Sequence, residues 1–239
     1  MQLQDRAEQD PAQLTRIRRD VARRAYDFLD LGSSRGGSIE YCSRRFGARR
    51  GLGVERHPDK VRQLHEKGLD VLACDLFALD LPPASFRFVS MLDVLEHLPD
   101  LATVERALGV ARDLARDFLF IRHPLFDATP FLASVGLKQY WTDWRGHTAR
   151  ILVSDFFEMF RRLGLQQVAL NYRHPARDSD DASLLPLAAP PDQHRYDAAL
   201  HGPKPRVVFP RTIHGQLDLF VALRAYDPRE WASLTTDRG

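Results

Sequence analysis

Over the first half of the chain, short apolar runs alternate with stretches in which apolar residues recur every three or four positions. Tyr26–Leu31 (YDFLDL), Gly51–Val54 (GLGV), Asp70–Ala73, Phe86–Leu92 (FRFVSML) and Phe118–Ile121 have the β-branched and aromatic content of strands. Helical periodicity fills the intervals: from the Gly/Ser turn after Leu31 to about Phe46, over Asp59–Lys67, and over Leu101–Ala115. A leading helix is predicted over about Ala12–Ala25. Strands separated by helices of this length predict βαβ units, hence a parallel sheet with helices on both faces.

The pattern changes downstream. His123–Arg150 reads as irregular and rich in aromatics, with Pro124 and Pro130 as breakers. A helix is predicted over Val153–Leu163, with Ser154 and Asp155 as start signals and Gly164 as its stop. Leu165–Tyr172 and Gly215–Ala225 read as two more strands. Between them, His174–Pro210 holds seven of the 15 prolines, the composition of a lid, a docking segment or a disordered stretch. Covering a pocket is slightly preferred over docking a partner. The expected organisation is therefore an N-terminal helical segment (1–25), an α/β domain (26–228) with insertions at 123–150 and 173–214, and a C-terminal tail (229–239).

Composition narrows the function classes. A chain of 239 residues, 44% hydrophobic and 28% charged, can bury a sizeable core, which excludes wholesale disorder and a fibrous repeat. No apolar run approaches the roughly 20 residues that span a bilayer, and the N-terminal residues lack the apolar core of a secretory signal. Cys42 and Cys74 cannot make a disulfide framework, so a reducing cytoplasm is the expected compartment. A net charge of +2 is too mild to require a nucleic-acid partner. Arg16, Arg18, Arg19, Arg23 and Arg24 read as a solvated helix face in preference to an RNA contact. Homodimerisation stays open.

The candidate chemistry lies at strand ends. Phe28-Leu29-Asp30-Leu31-Gly32-Ser33-Ser34-Arg35-Gly36-Gly37 sits where a first strand feeds a first helix. Small residues there let the backbone approach a ligand, and the helix N-terminus offers free N–H groups. Glu55 closes the second strand, where a carboxylate can take both hydroxyls of a ribose. Asp75 follows the third strand and Asp93 ends the fourth. Each acid alone reads more readily as a helix cap or a solvated loop residue; in register, together they ring the crevice of a doubly wound sheet. The turn lacks the middle glycine of a dinucleotide fingerprint, having Ser34 there. Asp30 is awkward beside a pyrophosphate but suits an ammonium or sulfonium group. The ligand that fits is a cationic nucleoside.

At these residues the chain resembles the class I S-adenosylmethionine-dependent methyltransferases. FLDLGSSRGG looks like their glycine-rich first motif, with Ser34 in place of a usual glycine; GVERHPDK, CDL and SMLDVLEHLPD look like the motifs of the next three strands. The last is similar to the branch that methylates small molecules. The resemblance implies an α/β, doubly wound, Rossmann-like fold: a mostly parallel seven-stranded sheet, helices on both faces and a C-terminal antiparallel hairpin. It also implies S-adenosyl-L-methionine as cofactor. Asp30, Gly32, Ser34 and Gly36 would line its methionine part, Glu55 would hold the ribose, Arg56 or His57 would flank the adenine, Asp75 and Leu76 would meet the adenine edge, and Asp93 would lie near the amino and sulfonium groups.

The implied reaction is methyl transfer to an O, C or N nucleophile of a small-molecule acceptor. An RNA methyltransferase and a non-catalytic binding module are the alternatives. Three histidines are candidate bases, each with a bland reading beside it: His97 as a residue packed at the start of the next helix, His147 as part of an ordinary surface loop (Tyr140–Thr148), and His123 as part of a turn. No metal is expected, because no H-E-x-x-H or C-x-x-C occurs and His194, His201 and His214 are scattered in the Pro-rich insertion.

Overall fold

The runs of apolar residues become strands whose side chains are buried on both faces of one sheet. The structure is a computed structural model and describes residues 10–236; residues 1–9 of the N-terminal segment and 237–239 lie outside the described residues. The central strands are β1 (Phe28–Leu31), β2 (Gly51–Val54), β3 (Val71–Leu72), β4 (Phe86–Leu92), β5 (Ala115–Pro124), β7 (Val168–Asp178) and β9 (Val208–Ala222), in the spatial order β3-β2-β1-β4-β5-β9-β7. The first five are mutually parallel where they pair. β9 runs antiparallel between β5 and β7. This is the expected seven-stranded, mostly parallel sheet with its closing antiparallel pair. The order reverses between β1 and β4, so the carboxyl ends of both open onto one crevice.

Helices cover both faces. On one, α1 (Pro11–Ala22), α4 (Leu101–Leu114) and α6 (Val153–Arg162) bury Ile17, Val104, Leu108, Phe156 and Phe160 against Leu29, Leu31, Val89 and Leu119. On the other, α2 (Gly37–Phe46) and α3 (Pro58–Glu66) bury Ile39, Cys42, Val61 and Leu64 against a file of phenylalanines. Phe28, Phe88 and Phe118 lie in register on adjacent strands and stack with centroids 4.8 Å apart at each step. Cross-strand aromatic pairs of this kind stabilise a sheet beyond their buried area. Helix starts follow capping chemistry. The Asp100 carboxylate accepts from Thr103 N–H ahead of α4, and the Asp155 carboxylate reaches back to Leu152 N–H at the start of α6.

Three expectations are corrected. Residues 123–150 are not irregular throughout: they contain α5 (Thr129–Ser134) and β6 (Leu137–Gln139). Residues 173–214 are an ordered extension, in which β7 and β9 run on past the sheet, β8 (Leu184–Pro186) pairs with β6, and a short helix α7 (Ala198–His201) follows. Leu132, Leu137, Ala176, Leu184, Phe209 and Ile213 give the two insertions a shared small core. Pro175 is tolerated in β7 because β7 is an edge strand. Finally, the tail carries α8 (Pro228–Thr235), started by the Asp227 carboxylate accepting from Arg229 N–H and packed by Trp231 and Leu234 on the phenylalanine face. Among the described residues no helix is long and apolar enough to cross a membrane.

Candidate functional site

The bend after β1 is held from below. Gly32 and Ser33 N–H both donate to Val54 O at 2.9 and 3.0 Å, which ties the turn to β2. Gly32 has φ +75°, and a Cβ there would stand 2.5 Å from Val94 Cγ2. Gly32→Ala is expected to destabilise the protein by about 1–2 kcal/mol, the cost of a left-handed alanine with a displaced Val94. Thermal melts of the two proteins check this. Ser34 follows in the left-handed region and donates its N–H to Glu55 Oε2 at 2.9 Å. Glu55 Oε1 accepts from Arg56 and His57 N–H, each at 2.9 Å, so one buried carboxylate clasps the β1 and β2 loops together.

A cleft of about 1300 Å³ opens over this clasp. Of the residues expected to bind the cofactor, Gly32, Ser34, Glu55, Arg56, Asp75, Leu76 and Asp93 line it, as does His57. Asp75 starts a 3-10 turn (Leu76–Ala78) by accepting from Phe77 N–H, and its carboxylate stands 3.6 Å from the Arg56 guanidinium.

Two expected residues lie elsewhere. Asp30 is wholly buried behind the bend and receives the Ser38 and Ser90 hydroxyls; burial pushes its carboxyl up to about 6. It stands one layer beneath the cleft wall. Gly36 is buried as well, and is glycine for packing: at φ +88° a Cβ would meet Leu69 Cδ1 at 2.6 Å.

Asp93 follows β4 with φ +52° and accepts from Gln216 Nε2 at 3.0 Å. Its carboxyl is pushed up to about 6, first by desolvation within the cleft and then by the charge of Glu96. Beyond Asp93 lies a second cavity of about 670 Å³, walled by Tyr140, Trp141, Trp144, His147, Asp181 and Arg195. Both insertions therefore contribute to its walls. Asp93 and His97 line this cavity and the first cleft alike.

The three candidate histidines separate. His97 is exposed, with Nδ1 2.8 Å from Gly146 O. His147 is buried, with Nδ1 3.0 Å from Trp141 O, and burial lowers its pKa. Their rings lie 5.0 Å apart. His123, by contrast, is buried in β5 against Phe126 and Phe156 and lines neither cavity, so the expectation that it is a base facing the pocket is corrected. Its Nδ1 stands 3.3 Å from Glu96 Oε2. Burial alone would raise the Glu96 carboxyl, but His123 holds it below the usual range.

Sequence reasoning passed over Glu96, Gln216 and Arg122. Glu96 stands within the quoted D-V-L-E-H-L run and was hidden by the more familiar reading of its neighbours. Arg122 lines the first cleft and is held there by Asp218 (2.7 and 2.8 Å) and Tyr41 (2.8 Å), partners far off in sequence.

Residues 29–113 match the family model described as a methyltransferase domain. No curated protein matches the chain. Among solved structures, a SAM-dependent methyltransferase from Archaeoglobus fulgidus is similar at 16% identity and a TM-score of 0.55, over 88% of this chain and 94% of that one. A chain of the complex between the Haloferax volcanii Trm112 methyltransferase activator and a methyltransferase is similar at 15% identity and a TM-score of 0.57, over 88% and 89%.

Proposed function

We propose that the chain is a class I S-adenosylmethionine-dependent methyltransferase, a reading that the match of residues 29–113 to a methyltransferase-domain model supports, and that it methylates a small-molecule acceptor. The observation that carries this reading is the shared wall: Asp93 and His97 face a nucleoside-sized cleft on one side and an aromatic-walled cavity on the other. In the cleft, Glu55 would receive the ribose hydroxyls, Arg56 and His57 would flank the adenine, Asp75 and Leu76 would meet its edge, and Gly32 and Ser34 would offer backbone to the methionine part. Asp30 would act through the field of its charge from behind the bend. S-adenosylmethionine supplies a methyl group already activated by a sulfonium, so the protein's task is to align the nucleophile and exclude water. A cavity of about 670 Å³ enclosed by Tyr140, Trp141 and Trp144 suits a small aromatic or polar molecule. The basic face of α1 is partly neutralised, Arg16 by Asp70 and Arg18 by Asp80, which weighs against RNA. Two free cysteines, one buried, accord with a reducing cytoplasm.

Electrostatics gives a direct test. S-adenosylmethionine carries one more positive charge than S-adenosylhomocysteine, and that charge falls at Asp93 in this reading. Asp93 is faced by Glu96, Arg122 and His123, with Gln216 as its hydrogen-bond partner. With the free carboxyl near 6, raising the pH from 5 to 7.5 ionises it. S-adenosylmethionine affinity is expected to rise about tenfold over that interval, more than affinity for S-adenosylhomocysteine, and the excess is expected to vanish in Asp93→Asn. Calorimetric titrations of both ligands measure this. Equal pH profiles for the two would overturn the placement. Transfer of labelled methyl from S-adenosylmethionine to macromolecular RNA, with none to compounds below the filtration limit, would overturn the acceptor class.

A further inference from the structure

The floor of the acceptor cavity gathers ligand chemistry that methyl transfer alone does not require. Glu96, His97 and His147 each bring one donor atom to within 4.8 Å of the others. Both histidines have Nδ1 against a backbone carbonyl, Gly146 O and Trp141 O. A carbonyl only accepts, so each Nδ1 carries the proton and each Nε2 is left with its lone pair. This is the arrangement that fixes imidazoles as metal ligands. Glu96 is 1% exposed, and its Oε2 stands 3.3 Å from His123 Nδ1 on the side of β5. A buried carboxylate beside two imidazoles with free Nε2 lone pairs is a donor set that suits a cation.

We propose that Glu96, His97 and His147 form a three-ligand site for a divalent transition-metal cation at the base of the acceptor cavity. Two imidazoles and one carboxylate favour a borderline ion such as Zn²⁺, Fe²⁺ or Mn²⁺ over a hard one, and they leave coordination positions open towards the cavity. Bonds of about 2.1 Å require donors roughly 3–3.5 Å apart. The three donors already lie within 4.8 Å of one another, and the exposed His97 is the member freest to draw closer on binding. Sequence inspection offers no metal motif because the adjacent pair Glu96–His97 and the lone His147 come from separate loops, joined by the hydrogen bonds of His97 to Gly146 and of Ala149 N–H to Glu96 O.

Resting on the function proposed above, the site narrows the acceptor to a hydroxyl compound. A hydroxyl held at an open position ionises more readily, its proton leaving to water. The oxygen lone pair then forms the O–CH₃ bond while the S–CH₃ bond breaks and its electron pair returns to sulfur, leaving neutral S-adenosylhomocysteine. No oxidant or reductant is involved.

Co²⁺ is the probe, because its visible absorption reports imidazole coordination. Purified full-length protein, stripped with chelator and dialysed, is titrated with Co²⁺ and then challenged with Zn²⁺. The expected result is one Co²⁺ per chain, displaced by Zn²⁺. Affinity should fall at least about tenfold in Glu96→Gln, His97→Gln and His147→Gln, and stay unchanged in His65→Gln on α3. Absence of stoichiometric uptake, or uptake indifferent to both histidine replacements, overturns the site. Should buried His147→Gln fail to fold, the exposed His97→Gln decides. S-adenosylhomocysteine titration of the same samples keeps the two readings apart. S-adenosylhomocysteine binding without metal uptake overturns the metal site alone, whereas loss of S-adenosylhomocysteine binding overturns the cofactor cleft.

Discussion

Glu55→Ala is expected to weaken S-adenosylhomocysteine binding by about 100-fold or more, which corresponds to about 2.7 kcal/mol. Two effects combine. The carboxylate receives Ser34, Arg56 and His57 N–H, each at 2.9 Å, and alanine leaves all three donors without their acceptor. Each unmet donor at a buried position costs roughly 1–3 kcal/mol, less where water can enter the space left. The loops after β1 and β2 then lose their common anchor, so the cleft is no longer held ready before ligand arrives. In the proposed pose the same carboxylate also takes the ribose hydroxyls, and that contact disappears with it. Glu55→Gln should fall between, because one amide oxygen can still accept while the amide N–H₂ faces donors. Calorimetric titration reads the affinity, and a melt of the ligand-free protein separates loop loosening from lost contact. Binding within threefold of the parent in Glu55→Ala would remove Glu55 from the site.

What the chain reveals by reading and what it conceals divide along contact range. Gly32, Glu55, Asp75 and Asp93 are legible because each follows directly from its own strand end, and a parallel sheet brings those ends together by topology. Asp30 shows where that logic stops. It lies in the same motif, yet its side chain points into the protein, towards Ser38 on α2 and Ser90 on β4. Alternation along a strand that is buried on both faces gives no sign of which face a polar residue takes. The insertions were harder still. β6 and β8 are three residues each and persist only by pairing with one another, a contact spanning more than forty residues. α8 was hidden for a related reason: eight residues give too few turns for a periodic signal, and its stability comes from Trp231 and Leu234 docking on a remote face. His123 and His97 were indistinguishable as letters. Only the register of β5 against β9, which sets His123 opposite Leu217, places one in the core and the other at the cavity.

Asp30→Asn is expected to flatten the pH dependence of stability between about pH 4 and 6 while weakening S-adenosylmethionine binding. The Asp30 carboxyl titrates near 6 in the folded protein and near 3.8 when unfolded. Between those values the folded state holds the extra proton, so stability falls as pH rises through the interval. A shift of about two pH units amounts to about 3 kcal/mol, fully present below the unfolded value and lost above the folded one. Above pH 6 the parent therefore carries a buried charge that Ser38 and Ser90 only partly solvate. Asparagine avoids that charge and keeps an acceptor oxygen for one hydroxyl, while the other hydroxyl turns to accept from the amide N–H₂. Subtracting the two stability profiles, measured by urea unfolding at a series of pH values, isolates this residue from all other carboxylates. The variant should gain on the parent by up to about 3 kcal/mol towards pH 8. A difference profile that is level, or that slopes the other way, would show that Asp30 is ionised throughout. That destabilising charge acts on its surroundings as well as on its own fold. Here the neighbouring space is the bend that faces the cleft proposed for the cofactor, and a fixed negative charge behind that bend favours a cationic nucleoside over a neutral one. Affinity for S-adenosylmethionine should consequently drop more in Asp30→Asn than affinity for S-adenosylhomocysteine, in a protein that melts no lower than the parent at pH 8.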